Sequence, residues 1–156
     1  MNSTLALDAV RKTVTVDCTV EEAFTVFTAD ARSWWPTDTH SIHGDTVKDV
    51  VFEECEGGEV YEISQSDEKG HWATVVTWDP PTRLVLAWNI LGADPAVTEV
   101  EVRFTAAGAR TRVELEHRGW EAIADGAGKR ANYDTGWDHV LGEYVQGTGR
   151  GRTPGV

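Results

Sequence analysis

The aromatic face of the last predicted helix constrains the fold more than any other feature of this sequence. Between residues 130 and 145 (RANYDTGWDHVLGEYV), large apolar residues recur at steps of three and four, which places them on one face of an α-helix. This face needs a covering surface, because exposed aromatic area is unfavourable in water. The covering elements leave either a solid core or a ligand cavity, and this difference decides the function. The residues of the face are Tyr133, Trp137, Val140, Leu141 and Tyr144.

Alternating segments before this helix predict the sheet that covers it. In the segment 97–105, apolar side chains alternate with charged ones, and the segment 111–117 repeats the pattern with His117 on its apolar side. Such alternation is typical of an antiparallel sheet with one solvated face. The predicted strands are residues 10–17, 47–54, 59–65, 71–78, 83–90, 97–105 and 111–117.

Two short helices are predicted after the first strand. Thr19, followed by Glu22 three residues later, is the signature of a capping box and predicts a helix start. A second helix is predicted over residues 30–35 and ends before Pro36, since the residue before a proline disfavours helical geometry. The glycine-rich segment 125–128 is expected to be a mobile connector. A single domain is expected over residues 8–146, followed by a disordered tail at 147–156 (GTGRGRTPGV).

Composition excludes several classes of function. The 156 residues include 26 Asp and Glu but only 14 Lys and Arg, a net charge of −12, so binding to nucleic acid or to an anionic membrane is not expected. The chain has no apolar run of about 20 residues and no signal-peptide pattern, so we expect a cytoplasmic protein. Cys18 and Cys55 lack the spacing of a metal or redox motif, and a disulfide between them stays open.

The order of the elements predicts an α+β fold. One strand, two helices, about six strands and a long helix follow one another, and the sheet must bury its apolar face against the helices. The expected architecture is a curved antiparallel sheet wrapped around the long C-terminal helix.

Five local patterns carry a resemblance to a known family. They are TVEEAFTVFT at 19–28, the pair Trp34 and Trp35, WDPPTRLVLAW at 78–88, RVELEHRGW at 112–120 and GWDHVLGEY at 136–144. In this order they resemble the SRPBCC superfamily, with the START-like or helix-grip fold also seen in the birch pollen allergen. Within it, the chain is most similar to the Aha type, related to the C-terminal domain of the Hsp90 ATPase activator. The resemblance implies a hydrophobic cavity between sheet and helix, but it leaves the activity open, since the superfamily includes lipid carriers, polyketide cyclases, oxygenase subunits and co-chaperones.

The aromatic residues are the main candidates for lining such a cavity. Seven tryptophans are many for this length, and their large amphipathic rings suit a pocket wall. The alternative is that these rings fill the core completely. His117 is the candidate polar group opposite the helix, because alternation turns it inward and histidine titrates near neutral pH. The alternative is a histidine at the edge of the core, bonded to a carbonyl or a tyrosine. The predicted ligand-binding residues are Trp34, Trp35, Trp88, His117, Trp120, Tyr133, Trp137, Leu141 and Tyr144.

The primary functional hypothesis is the binding of a small hydrophobic or aromatic ligand in this cavity, without a cofactor. The first alternative is a cyclase- or aromatase-like enzyme that uses the same cavity. Its polar candidates are His117, Tyr61, Glu62, Tyr133 and Asp134, but no catalytic pair follows from the sequence. The second alternative is a chaperone-interacting module, which is expected less because the chain lacks the additional N-terminal domain of the full co-activator.

Two further features of the sequence are not assigned a function. His40 and His43 have the spacing H-x-x-H, but they lie in a predicted loop without a third ligand, so we expect no metal site and a solvated loop at the cavity mouth. Sheet edges could support a homodimer, but no pattern requires one.

Overall fold

The computed structural model describes residues 7–90 and 96–150, which form a seven-stranded antiparallel sheet and two α-helices. Short 3-10 turns lie at Ala31–Ser33, Gly44–Thr46 and Trp120–Ala122. The helices are α1 (Val20–Phe27) and α2 (Gly126–Arg150). The strands are β1 (Val10–Val16), β2 (Val47–Phe52), β3 (Glu59–Ser64), β4 (Lys69–Asp79), β5 (Arg83–Trp88), β6 (Thr98–Ala107) and β7 (Arg110–Arg118).

The sheet is curved around the long helix. Its strand order is β1-β7-β6-β5-β4-β3-β2, with every neighbouring pair antiparallel. The register shifts near residues 47–49, 60–61 and 75–77, so each pairing between β2 and β5 contains an irregularity. Because an extra residue in one strand bends it and increases the local twist, these irregularities curve this half of the sheet.

Helix α2 packs on the concave face of the sheet. Val100, Val102 and Leu115 are buried on this face, and Trp137 and Leu141 of α2 are buried as well. This burial follows directly from the period of two in the strands and of 3.6 in the helix.

An ion pair fixes α2 at the edge of the sheet. Lys12 of β1 lies 2.7 Å from Asp134 and 3.0 Å from Asp138, one turn apart on α2. This contact explains why a lysine occupies the apolar side of β1: its ammonium reaches the polar side of the helix.

The predicted α+β helix-grip architecture is confirmed. All seven predicted strands are present, and the capping box of α1 forms as expected, with the Glu22 amide donating to the Thr19 hydroxyl at 3.2 Å. The second predicted helix is only the 3-10 turn Ala31–Ser33. Pro36 disfavours helical geometry at Trp35, so the helical turn does not continue to this residue.

Helix α2 is longer than its periodicity predicts. It begins at Gly126, so the expected connector at 126–128 is helical. A side chain at Gly126 would meet the Trp120 carbonyl, which explains the glycine by close packing rather than by mobility. The helix also continues to Arg150, and Thr148 is buried, so the first residues of the expected disordered tail are helical. Residues 151–156 lie outside the described part of the chain.

Two further expectations concern the cysteines and the membrane. Cys18 is buried whereas Cys55 is exposed, and no disulfide joins them. In the described ranges, neither helix is both long and apolar enough to cross a bilayer.

Candidate functional site

A cavity of about 350 Å³ lies between the curved sheet, helix α2 and the segment 35–42. This volume falls at the small end of the range of ~300–1,000 Å³ found for small-molecule pockets. Sheet and helix supply mostly apolar walls, and the segment 39–42 supplies a more polar rim. The lining residues are Trp35, Thr39, His40, Ser41, Ile42, Trp72, Trp88, Ile90, Asn132, Tyr133, Gly136, Trp137 and Val140.

Four tryptophans line the cavity, and the indole N–H of each already has a protein acceptor. Trp35 donates to the His40 carbonyl at 2.8 Å, and Trp137 donates to Nδ1 of His117 at 3.0 Å. The remaining two indoles donate to a carboxylate and to a phenol, as described below. Since the polar edges are used inside the protein, the tryptophans offer apolar ring surface to the cavity, and their orientations are fixed before any ligand arrives.

Glu62 connects the floor of the cavity, formed by Trp72 of the sheet, to the rim at residues 39–42. This side chain is fully buried, and Oε1 accepts from the Trp72 indole at 2.7 Å and from the Ile42 amide at 2.8 Å. Oε2 accepts from both the amide and Nδ1 of His43, each at 2.7 Å. Four donors compensate the burial of the carboxylate, which would otherwise be very unfavourable. Gly70 leaves the necessary space, because a Cβ there would meet Ile42 at 2.7 Å and Glu62 at 3.1 Å.

His40 forms part of the rim and lies against helix α2. Its ring is 4.9 Å from the ring of His139, and its Nδ1 shares a hydrogen bond of 2.7 Å with the Thr39 hydroxyl. Burial, together with the neighbouring His139, lowers the pKa of His40, so its imidazole is neutral at pH 7. Gly136 of α2 lies beside this ring: a Cβ on it would be 3.7 Å from His40, an ordinary van der Waals contact.

Tyr133 places a hydroxyl at the helix wall of the cavity. This hydroxyl accepts a hydrogen bond of 2.8 Å from the Trp88 indole. Burial raises the pKa of Tyr133, and the Trp88 bond offsets only part of this effect, so the phenol stays protonated at neutral pH.

The structure brings together four of the nine predicted ligand-binding residues at this cavity. They are Trp35, Trp88, Tyr133 and Trp137.

Three of the other five, Trp34, Leu141 and Tyr144, lie in the packed core, and two of them bond to α1. The Trp34 indole donates to the Val26 carbonyl at 2.6 Å, and the Tyr144 hydroxyl donates to the Ala23 carbonyl at 2.7 Å. Leu141 and Tyr144 are enclosed because the apolar stripe of α2 is longer than the cavity, and one end of it fills the core.

His117 and Trp120, the other two, are enclosed behind the cavity wall. The Trp120 indole donates to the His117 carbonyl at 3.0 Å. Nδ1 of His117 accepts from Trp137, so the proton lies on Nε2, which is 2.8 Å from the Thr98 hydroxyl. Burial lowers the pKa of His117 to about 3. A fully buried, neutral imidazole with both nitrogens bonded does not face the cavity, so it is not the polar group expected opposite the helix.

The remaining polar candidates have structural partners. The ring of Tyr61 packs under the Lys69 ammonium, and Asp134 pairs with Lys12. His43 turns to Glu62 while His40 turns to α2, so the H-x-x-H pair does not converge on a common point. In the ranges 7–90 and 96–150, no group of three or more potential ligands could hold a metal ion.

Trp72 is the main cavity residue that the sequence analysis missed. Its strand reads as a mixed apolar run because the bulge near residues 75–77 breaks the alternation. Glu62 is among the polar candidates named from the sequence, and it is buried with Val60 and Ser64 on one face of β3.

Residues 17–145 match the family model described as Activator of Hsp90 ATPase homolog 1-like protein. The chain belongs to this family. The Aha-type resemblance is therefore confirmed. No curated protein matches the sequence.

Three solved structures are similar to this chain. The anthrahydroquino-gamma-pyrone synthase Txn09, solved as a complex, is 33% identical over 80% of this chain and 84% of its own, with a TM-score of 0.59. CalC, a self-sacrificing resistance protein from Micromonospora echinospora, is 28% identical over 92% and 95%, with a TM-score of 0.67. The Aha1 dimer from Colwellia psychrerythraea, 16% identical over 85% and 90% with a TM-score of 0.61, shows the fold alone.

Proposed function

We propose that this protein binds a small, flat, aromatic molecule in the cavity between the sheet and α2. The observation that carries the proposal is the set of four tryptophans whose indole N–H groups are all satisfied within the protein. Such rings stack on a flat apolar ligand without needing any polar group from it. They are also held in place by hydrogen bonds, so little conformational entropy is lost when a ligand binds.

The cavity-blocking substitution Gly136→Leu tests this proposal. Gly136 lines the cavity, and a Cβ there makes only ordinary van der Waals contact with His40, so we expect the larger side chain to extend into the cavity. Gly142→Leu is the matched control, because a Cβ at Gly142, on the same helix, meets nothing within 4 Å. Both changes replace a helical glycine and should stabilise α2 similarly.

Native mass spectrometry of the freshly purified protein asks whether a molecule occupies the cavity. Thermal-shift and tryptophan-quenching titrations with bicyclic and tricyclic aromatic compounds then measure affinity. We expect Gly136→Leu to weaken binding by about tenfold or more, equivalent to about 1.4 kcal/mol, while Gly142→Leu binds like the parent protein. Equal loss in both variants, or no binding by the parent protein, would contradict the proposal.

A second candidate is ring closure on a bound aromatic precursor. It is favoured by the 33% identity to a synthase over four-fifths of the chain. In this case the neutral His40 imidazole would accept a proton, and the Tyr133 hydroxyl would donate a hydrogen bond to a carbonyl of the substrate. Turnover of a polyketide-type precursor that disappears in His40→Gln, with folding intact, would establish it. The chaperone-interaction alternative stays a prediction.

A further inference from the structure

The Tyr133 hydroxyl uses only one of its two hydrogen-bonding functions with the described residues. A phenol both accepts and donates. Its accepting side is taken by the Trp88 indole at 2.8 Å, whereas its own proton has no acceptor among the described residues. Tyr133 lines the cavity, and the O–H of its side chain is therefore an unused hydrogen-bond donor in the cavity wall.

The aromatic neighbours of Tyr133 cannot accept this proton. The ring of His117 is 4.8 Å away, but its Nδ1 accepts from Trp137 and its Nε2 carries the proton directed to Thr98. Trp88, Trp120 and Trp137 pack around the phenol with indole groups that only donate. In the wall itself, then, every ring nitrogen near the hydroxyl is already engaged.

Two consequences follow for the hydroxyl. First, the Trp88 indole fixes the position of the phenol oxygen, so the donor is held in place before a ligand binds. Second, burial keeps the phenol in its neutral, protonated form, because it raises the pKa of Tyr133. The group therefore acts as a hydrogen-bond donor at physiological pH, not as a phenolate.

We propose that Tyr133 is a specificity-determining residue that selects aromatic ligands carrying a neutral acceptor oxygen, such as an aromatic ketone or quinone, over aromatic hydrocarbons. The inference rests on the proposed function, since it requires that the cavity binds an aromatic molecule. A hydrocarbon would leave the Tyr133 proton without a partner in an apolar wall, whereas a carbonyl oxygen completes the chain from Trp88 through Tyr133 to the ligand. Burying a donor without an acceptor is more unfavourable than leaving it in water, and this difference produces the selection.

The test uses two probes with one tricyclic skeleton, fluorene and 9-fluorenone, which differ in a single carbonyl oxygen. Their affinities are measured by tryptophan quenching for the parent protein and for Tyr133→Phe. The ratio of the two affinities is compared between proteins, so that differences in the solubility of the probes cancel. We expect the preference for fluorenone to fall by about 2- to 12-fold in Tyr133→Phe, the range for one neutral hydrogen bond.

Two further variants separate the donor from the fold. Tyr133→Phe leaves the Trp88 indole without its acceptor, so the double variant Trp88→Phe/Tyr133→Phe removes both groups together and keeps the test available if the single variant does not fold. The single variant Trp88→Phe retains the phenol but removes the indole that positions its oxygen, so the preference for fluorenone should fall less than in Tyr133→Phe. If both probes bind but their affinity ratio is unchanged by loss of the hydroxyl, the role of Tyr133 is refuted while the proposed function stands. If neither probe binds the parent protein, both proposals fail.

Discussion

Replacing Glu62 by glutamine should loosen the rim and the floor of the cavity together. The carboxylate has two accepting oxygens that serve four donors, and an amide has only one. If the amide oxygen keeps the hydrogen bonds from the Trp72 indole and the Ile42 amide, the amide nitrogen faces the backbone N–H of His43, and two donors then oppose each other. A lost hydrogen bond to a charged acceptor is worth about 1.5–3 kcal/mol. We therefore expect Glu62→Gln to lower the free energy of unfolding by about 2–4 kcal/mol, a large part of the ~5–15 kcal/mol typical of a domain.

Glu101→Gln is the matched control for this substitution. Glu101 is also buried and accepts from Arg83, Arg103 and Arg118 at 2.6 to 2.8 Å, but it lies on the opposite face of the sheet from Val100 and Val102. Although burial opposes it, these three guanidinium groups lower the pKa of Glu101 to about 2. The control thus removes a comparable network at a distance from the cavity.

Urea denaturation and amide hydrogen exchange distinguish the two variants. In Glu62→Gln the amides of Ile42 and His43 should exchange about 10- to 100-fold faster, because local opening of the rim becomes easier by about 1.4–3 kcal/mol. Glu101→Gln should leave these two amides unchanged relative to the global stability. Exchange rates at Ile42 and His43 that match the parent protein in Glu62→Gln, with an unchanged urea midpoint, would refute the role assigned to Glu62.

Two other changes test the electrostatics and the helix cap. Burial lowers the pKa of His117 in the folded protein to about 3, from an ordinary value of 6.5. As the pH falls, the unfolded chain therefore takes up a proton first. The free energy of unfolding should decrease below pH 6.5 by about 1.4 kcal/mol per pH unit. Urea titrations between pH 7 and 5 should show this slope, and His117→Gln should flatten it; an equal slope in both proteins would argue against the buried neutral imidazole. Thr19→Ala removes the α1 cap and should lower the free energy of unfolding by about 1 kcal/mol. Thr25→Ala, on the exposed side of α1, is the control and should not destabilise the protein. Equal urea midpoints for the two variants would exclude the capping effect.

Local patterns were sufficient to predict most of the fold. The alternation in β6 and β7 reports which side of a strand is buried, and the capping box at Thr19 is made by residues three positions apart. Both signals depend on neighbours in sequence, so they can be read without the tertiary structure. The start of α2 was missed because Gly126 is set by a close approach to Trp120, a contact that periodicity does not express.

The candidate site was only partly predictable, for a related reason. The sequence indicates that Trp35, Trp88, Tyr133 and Trp137 turn inward, and these four do line the cavity. It indicates the same for His117, Trp120 and Tyr144, which are enclosed in the core. Periodicity reports the buried face of an element but not what lies against it, so it cannot distinguish a core residue from a cavity residue.

The sequence by itself thus determined the α+β architecture, the face of each strand and helix that is buried, and the family. Only the tertiary structure decided which aromatic rings border empty space, that Glu62 joins the rim to the floor, and that Tyr133 rather than His117 presents a polar group to the cavity. The physical reason is that a cavity is a property of packing between distant segments. Trp72, His40 and Gly136 come from three separate parts of the chain, and their relation exists only once the sheet has curved around α2.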